Sequence, residues 1–246
     1  MSALGGDDHA RALREFGDAH RDLQAVLIVS AHWQKPLPIA VTSWETAPLI
    51  YDFGGFPEEL YRIRYPAHGD AALAAAVDLH LHAAGLPSIL DPSRGLDHGA
   101  WTPLRLAWPD AGIPVIAVSL PIAPPRQLFA IGEALRPLRQ DGVLIAGSGG
   151  IVHNLRRLDI RRKEAPPEPW AVEFDEWAAA AIASGNRDAL FDYRTKAPNA
   201  ALAVPTTEHF DPLFIALGAV APEDTLHTIY SGFQYATISM RTLAFS

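Results

Sequence analysis

A chain of 246 residues, 49% of them hydrophobic, is long enough to bury a substantial core in one large domain or two small ones. Its net charge of -8, with no basic run denser than Arg161-Arg162-Lys163, argues against a nucleic-acid surface, which needs clustered cations to neutralise phosphates. The lack of cysteine removes disulfides, thiolate metal sites and a thiol nucleophile, so His, Asp and Glu are the metal ligands on offer.

At the N-terminus, Met1 to Asp8 has neither a basic start nor an apolar stretch, and nowhere do about 18 apolar residues run uninterrupted, so neither a signal peptide nor a membrane span is expected. A cytoplasmic protein with a small-molecule partner follows. The stretch around His9 reads as the entry to a helix. Ala25 to Ser30 is a short, nearly continuous apolar run, as are Val115 to Ser119 and Val143 to Ala146, and each predicts a central strand buried on both faces of a largely parallel sheet. Between them, helical spacing marks Asp70 to Ala84 and Arg126 to Arg139; beyond them it marks Val172 to Ser184, Arg187 to Lys196 and Asp211 to Leu217. Segment 161–169 carries three prolines, which fix φ and remove donors, so it reads as a surface loop. Thr228 to Phe245, rich in aromatic and β-branched residues, predicts one or two closing strands. Alternation of this kind implies one α/β domain over 1–246, a central, largely parallel or mixed sheet flanked by helices.

The ten histidines sort by position. His32 follows the first strand, and His153 follows the third strand and the turn Gly147-Ser-Gly-Gly150, so both belong where an open α/β sheet places its ligands. His98 lies in the loop Leu96-Asp-His-Gly-Ala-Trp101, beside a carboxylate and a glycine that suit a positioned acid or base. His209 stands in Thr206-Thr-Glu-His-Phe210, where Thr206 or Thr207 is placed to cap the helix that follows. His80 and His82 are two apart on a predicted helix and point about 200° apart, so they cannot chelate one ion. His9, His20, His68 and His227 lack a strand-end setting and read as structural. The Gly147 to Gly150 turn has no following Lys-Ser/Thr and no Gly-x-Gly-x-x-Gly register, against a nucleotide site. Ser148 is a rival as a hydrolase nucleophile, although Ala146 stands where the Gly-x-Ser-x-Gly elbow has glycine.

Taken together, Ser30-Ala-His-Trp33, Tyr51-Asp-Phe-Gly-Gly-Phe-Pro57 with Glu59-Leu-Tyr61 and Tyr65-Pro66, Gly95-Leu-Asp-His-Gly-Ala-Trp101 with Pro103-Leu104, Gly147-Ser-Gly-Gly-Ile-Val-His-Asn154 and Glu208-His-Phe210 span most of the chain. In this order they resemble the class III extradiol ring-cleavage dioxygenases, the DOPA 4,5-dioxygenase-like branch of the LigB superfamily. The resemblance implies a LigB-like α/β fold and one divalent metal, Fe(II) for ring cleavage or Zn2+. It implies metal ligands at His32 and His209, with His153 as a further ligand or as the acid/base beside the metal. His98 is expected to point into the substrate pocket and to share acid/base duty with His153, while Tyr51, Phe53, Trp101 and Tyr235 shape the pocket walls. Of the aromatics, Trp33, Phe53, Phe56 and Trp101 are each open to either a wall or a core reading.

The implied activity is cleavage of a catecholic, DOPA-like small aromatic with O2. Metal binding acidifies the catechol hydroxyl, and a histidine of ordinary pKa, about 6.5, can accept its proton at neutral pH. The family's first strand and its His-Gly-Ser-Pro turn, whose histidine is a metal ligand there, precede the segment matching Met1 onward, so the chain as written is expected to lack them. Two other readings stay open: a zinc or serine hydrolase on the same loops, and a catalytically impaired homologue that binds metal or a small molecule. Nothing in the sequence sets the oligomeric state.

Overall fold

A computed structural model describes residues 5–246; Met1 to Leu4, part of the segment read for a leader, lie outside the described residues. The chain forms two compact units. The first takes the residues up to Ser148 together with Pro212–Ala221, and the second takes Gly149–Asp211 with Pro222–Ser246. No described helix is long and apolar enough to cross a membrane.

The first unit carries a five-stranded mixed sheet built from β1 (Ala25–Lys35), β2 (Ile39–Thr42), β3 (Ser88–Asp91), β4 (Val115–Pro121) and β5 (Val143–Ser148), in the order β3-β2-β4-β1-β5. β1 pairs in parallel with both β4 and β5, β2 pairs in parallel with β3, and the β2–β4 contact is antiparallel. Val26 and Ile28 of β1 pack with Trp101 and Leu104, and strand alternation turns the equally buried Leu27 and Val29 to the other face. Burial on both faces is why β1 reads as an unbroken apolar run. The helices of this unit are α1 (Asp8–Ala19), α2 (Glu58–Tyr61), α3 (Ala71–Ala83), α4 (His98–Ala107), α5 (Pro125–Leu135) and α10 (Pro212–Gly218). Asp70 caps α3 by accepting from the Leu73 N–H.

β5, expected to be central, is an edge strand with most of its residues only partly buried. Its composition matches that of β1, and strand order is not written in composition. β2 and β3 were absent from the sequence reading because four residues are too few to show a period.

The second unit contains α6 (Pro169–Ala183), α7 (Arg187–Phe191), α8 (Tyr193–Lys196), α9 (Ala200–Ala203) and four short strands. The helix expected over Arg187 to Lys196 is two, because Asp192 ends α7 with φ -100 and ψ 22 and serves as N-cap to α8. The closing tail forms two small antiparallel sheets, β6 (Leu226–Tyr230) with β9 (Thr242–Phe245) and β7 (Phe233–Gln234) with β8 (Ile238–Ser239). A buried ion pair fastens the tail to α6: Asp175 accepts from the Ser239 hydroxyl at 2.6 Å and from Arg241 Nε at 3.0 Å. Segment 161–169 holds turns and no strand, with α6 beginning at Pro169.

Candidate active site

His32 is presented by an interruption of the sheet. The β1–β4 register runs to Val29 opposite Val118 and resumes at Gln34 opposite Leu120, so residues 30–33 stand against Ser119 alone. The excess chain bulges, and a bulge re-aims side chains that the ladder would otherwise fix. His98, expected in a loop, is the first residue of α4. Its neighbour Asp97 is the N-cap and accepts from the Ala100 N–H at 3.1 Å, while the glycine and proline that follow mask the helix in the sequence.

The two imidazoles meet on one carboxylate. His98 donates to Asp52 Oδ1 from both its backbone N–H and its Nδ1–H, each at 2.9 Å, and Nδ1 of His32 lies 3.2 Å from Asp52 Oδ2. The ring centroids are 4.2 Å apart. The side chains of His32, His98 and Asp52 are 28%, 33% and 25% exposed, so the group is open to a ligand. Burial works to raise the Asp52 pKa, but the hydrogen bonds from His32 and His98 outweigh it and hold the carboxyl well below the usual carboxylate range.

A buried polar network stands behind the pair. The Ser30 hydroxyl donates to Asp97 Oδ1 at 2.6 Å and accepts from the His32 N–H at 3.2 Å; Arg94 reaches both Asp97 Oδ2, at 3.2 Å, and the His32 carbonyl, at 3.3 Å. Gly99 fits this space because it has no side chain: a Cβ there would stand 2.5 Å from Ser30 Oγ and 3.0 Å from His32 Cδ2. Pro103 lies within α4 and has no N–H to offer the Gly99 carbonyl. The Ser148 hydroxyl donates to that carbonyl instead, at 2.5 Å. Its hydrogen bond is thus committed to helix backbone and not to a base, which removes the support for Ser148 as a nucleophile.

Phe53 stands edge-on to His98 at 5.5 Å and contacts Phe56, Tyr61 and Trp101 at centroid distances of 5.7, 5.1 and 6.2 Å. Tyr51 joins them, its hydroxyl donating to the Ile63 carbonyl at 2.5 Å. Trp101, expected on the pocket wall, has no exposed surface, and its indole N–H is held by the Ile50 carbonyl, so it backs Tyr51 and Phe53. Trp33 is likewise core.

In the second unit His153 and His209 stack face to face, 3.6 Å between centroids and 8° from parallel. Backbone bonds place them: His209 C=O accepts from Gly150 N–H at 2.8 Å, and His153 N–H donates to Ala203 C=O at 3.0 Å. Gly149 is obligatory, since a Cβ there would fall 2.1 Å from the His209 carbonyl oxygen. Glu208 Oε1 lies 3.1 Å from His209 Nδ1 and accepts from the Thr206 hydroxyl at 2.7 Å. Burial would raise the Glu208 carboxyl, yet those hydrogen bonds keep it below the usual range. Burial pushes Asp211 up to about 6, with the charge of Glu208 adding to it against the Thr207 hydroxyl. The two threonine hydroxyls expected to cap α10 are therefore spent on Glu208 and Asp211. Tyr235 sits at φ 53 in the β7–β8 turn, and Ile238 of β8 bridges to His153.

Asp52 lies within the Tyr51 to Pro57 block but carries no local signal of a role, because 20 residues separate it from His32 and 46 from His98. His82 instead bonds its own helix, with Nδ1 2.9 Å from the Asp78 carbonyl, and His20 does the same with Phe16. Among the described residues, His32, Asp52 and His98 offer three donor atoms all within 4.8 Å of one another. Imidazole and carboxylate groups so close suit a divalent cation, and the residues present therefore fit a metal.

Comparisons with known proteins identify the family. The family described as the catalytic LigB subunit of aromatic ring-opening dioxygenase matches residues 8–245. The chain is 37% identical over 230 residues to a 4,5-DOPA dioxygenase extradiol of Beta vulgaris, covering 91% of this chain and 83% of that protein. It is 35% identical over 245 residues to the protein of the same name from Escherichia coli (strain K12), covering 98% and 89%. A crystal structure of an uncharacterized protein, JW3007, from Escherichia coli K12 superposes with a TM-score of 0.83 at 31% identity, covering 98% of this chain and 93% of that one. The chain thus belongs to the LigB family of extradiol, aromatic ring-opening dioxygenases, which act on an aromatic substrate and O2.

Proposed function

We propose that the substrate is a catechol of DOPA-like size, a reading supported by the relatives' names, and that His32, His153 and His209 supply metal ligands, a reading supported by the matched motifs. The observation that carries it is the His32–His98 pair on Asp52 with the Phe53 ring edge-on beside it. We take the native metal to be Fe(II), because Zn2+ has no redox chemistry to offer O2. When bound, the ion would supply Lewis acidity that lowers the pKa of a catechol hydroxyl, together with a redox-active path for electrons from the catechol to O2.

The protein's own residues do the rest. His98, with Nδ1–H committed to Asp52, offers Nε2 as the acceptor of a catechol proton, a role worth roughly 10²–10⁴-fold in rate. His153 is the second candidate for proton transfer. The rings of Tyr51 and Phe53, backed by Trp101, present an apolar wall to the substrate ring and exclude water. Tyr235 is proposed as a further wall. A cytoplasmic setting, which a cysteine-free chain permits, belongs to the same reading.

The test is anaerobic reconstitution with Fe(II), followed by O2 uptake on a panel of catechols including DOPA. Uptake matched to a yellow ring-fission product is expected. Metal-loaded protein that consumes no O2 with any catechol would overturn the reading.

A further inference from the structure

Asp52 lies 2.9 Å from Nδ1 of His98 through one oxygen and 3.2 Å from Nδ1 of His32 through the other, and the first oxygen also accepts the His98 backbone N–H. A carboxylate is an acceptor only, so each neutral imidazole beside it must carry its proton on Nδ1 and its lone pair on Nε2. One side chain thereby dictates the tautomer of two rings whose centroids are 4.2 Å apart. The anchoring is double. Asp52 precedes Phe53, which meets His98 edge-on, and the backbone N–H it holds belongs to the first turn of α4, where a negative charge is favoured by the helix dipole.

We propose that Asp52 is a positioning residue that locks His32 and His98 together as Nδ1–H tautomers, so that a metal-facing nitrogen and a proton-accepting nitrogen are set by the same carboxylate. This rests on the ring-opening reading for the roles of the two nitrogens, but not for the tautomers. Carboxylate partners of this kind govern metal affinity by about 10–100-fold, and a shared partner makes the ligand and the base vary together. The competing assignment, with Asp52 as a ligand and both histidines binding through Nδ1, uses the same three residues and the opposite nitrogens.

The experiment is imidazole 15N–1H correlation spectroscopy on the full chain, metal-free and Zn2+-loaded, at about pH 8, where unperturbed histidines are neutral. Signals are assigned with His32→Gln and His98→Gln. Both rings are expected to be protonated on Nδ1 in the metal-free protein and to keep that proton with Zn2+ bound. In Asp52→Asn, which preserves the shape, at least one ring moves to a mixture of tautomers, and the Zn2+ dissociation constant rises about 10–100-fold. Either ring protonated on Nε2 in the wild type, Zn2+ bound to Nδ1, or tautomers unchanged in Asp52→Asn would overturn the proposal. Failure of catechol turnover alongside the expected tautomers would strike the functional reading and leave the clamp standing.

Discussion

The two histidine pairs are built by opposite means. His32 and His98 are tilted 58° to one another and share a carboxylate, whereas His153 and His209 lie 8° from parallel, and Glu208 touches Nδ1 of His209. The first pair is steered by side chains: a bulged strand and a capped helix bring the rings near, and Asp52 sets their final orientation. The second is steered by backbone, through Gly149, Gly150 and the Ala203 carbonyl. Side-chain control is adjustable by rotamer, and backbone control is not, so equivalent substitutions should have unequal consequences in the two places.

The sharpest contrast is between Gly149→Ala and Gly99→Ala. The methyl group of the first meets a carbonyl oxygen and must displace the backbone at His209, so a loss of about 2–4 kcal/mol in stability and a collapse of catechol turnover are expected. In the second it meets Ser30 Oγ and the edge of His32, which can rotate, and less than half that loss is expected. Urea denaturation and steady-state rates of both variants measure the difference, and equal effects would remove the distinction.

A second contrast sets one buried carboxylate against another. Asp175→Ala leaves Arg241 with its charge uncompensated and should cost about 3–5 kcal/mol, read from the denaturation midpoint. Asp97→Ala removes the α4 cap and frees Arg94 and Ser30, for about 1–3 kcal/mol, but it also loosens His32 and His98 and should therefore lower turnover in the protein that remains folded. If turnover per folded molecule is unchanged in Asp97→Ala, the network behind the first pair has no positioning role.

Much of the first pair's surroundings was legible beforehand. β1, β4 and β5 announced themselves as apolar runs because burial selects such residues, and α3 did so through the helical spacing from Asp70 to Ala84. What the sequence did not disclose depends on partners far along the chain. Asp52 serves His32 and His98 across tens of residues, β5 takes the edge through pairings that no single segment encodes, and Trp101 backs the wall because Tyr51 and Phe53 cover it. His98 was misplaced for a local reason: Gly99 and Pro103 argue against a helix, and the signal for one, Asp97 three residues before Ala100, was the weaker voice.

The contrast also extends to substrate. Phe53→Leu keeps an apolar contact but loses the ring that meets His98 edge-on, and a rise of about 3–10-fold in KM for a catechol with little change in kcat is expected from a wall interaction worth about 1 kcal/mol. A fall in kcat alone would instead place Phe53 in the alignment of His98.

The smallest effect lies away from both pairs. Burial tends to raise Asp91, but the side-chain hydrogen bond from Ser93 and the backbone bonds from Ser93 and Arg94 hold its carboxyl below the ordinary value. A depressed folded-state pKa contributes stability above the unfolded value of about 3.9 that is lost as pH falls through the folded one. Asp91→Asn should therefore be less stable than the wild type at neutral pH, by under about 1 kcal/mol because solvent screens the site, with the difference shrinking as pH falls from the unfolded value through the folded one. Thermal melts across that range check the sign.

The proline inside α4 has a wider consequence. By withholding an N–H from the Gly99 carbonyl, Pro103 creates a vacancy that only a donor from outside the helix can fill, and Ser148 at the end of β5 fills it. Helix and strand are thus latched by a missing atom in one and a hydroxyl in the other. The two positions should drift together through evolution: a chain that regains an amide at 103 releases 148 from its duty, and one that loses the hydroxyl gains by restoring the amide.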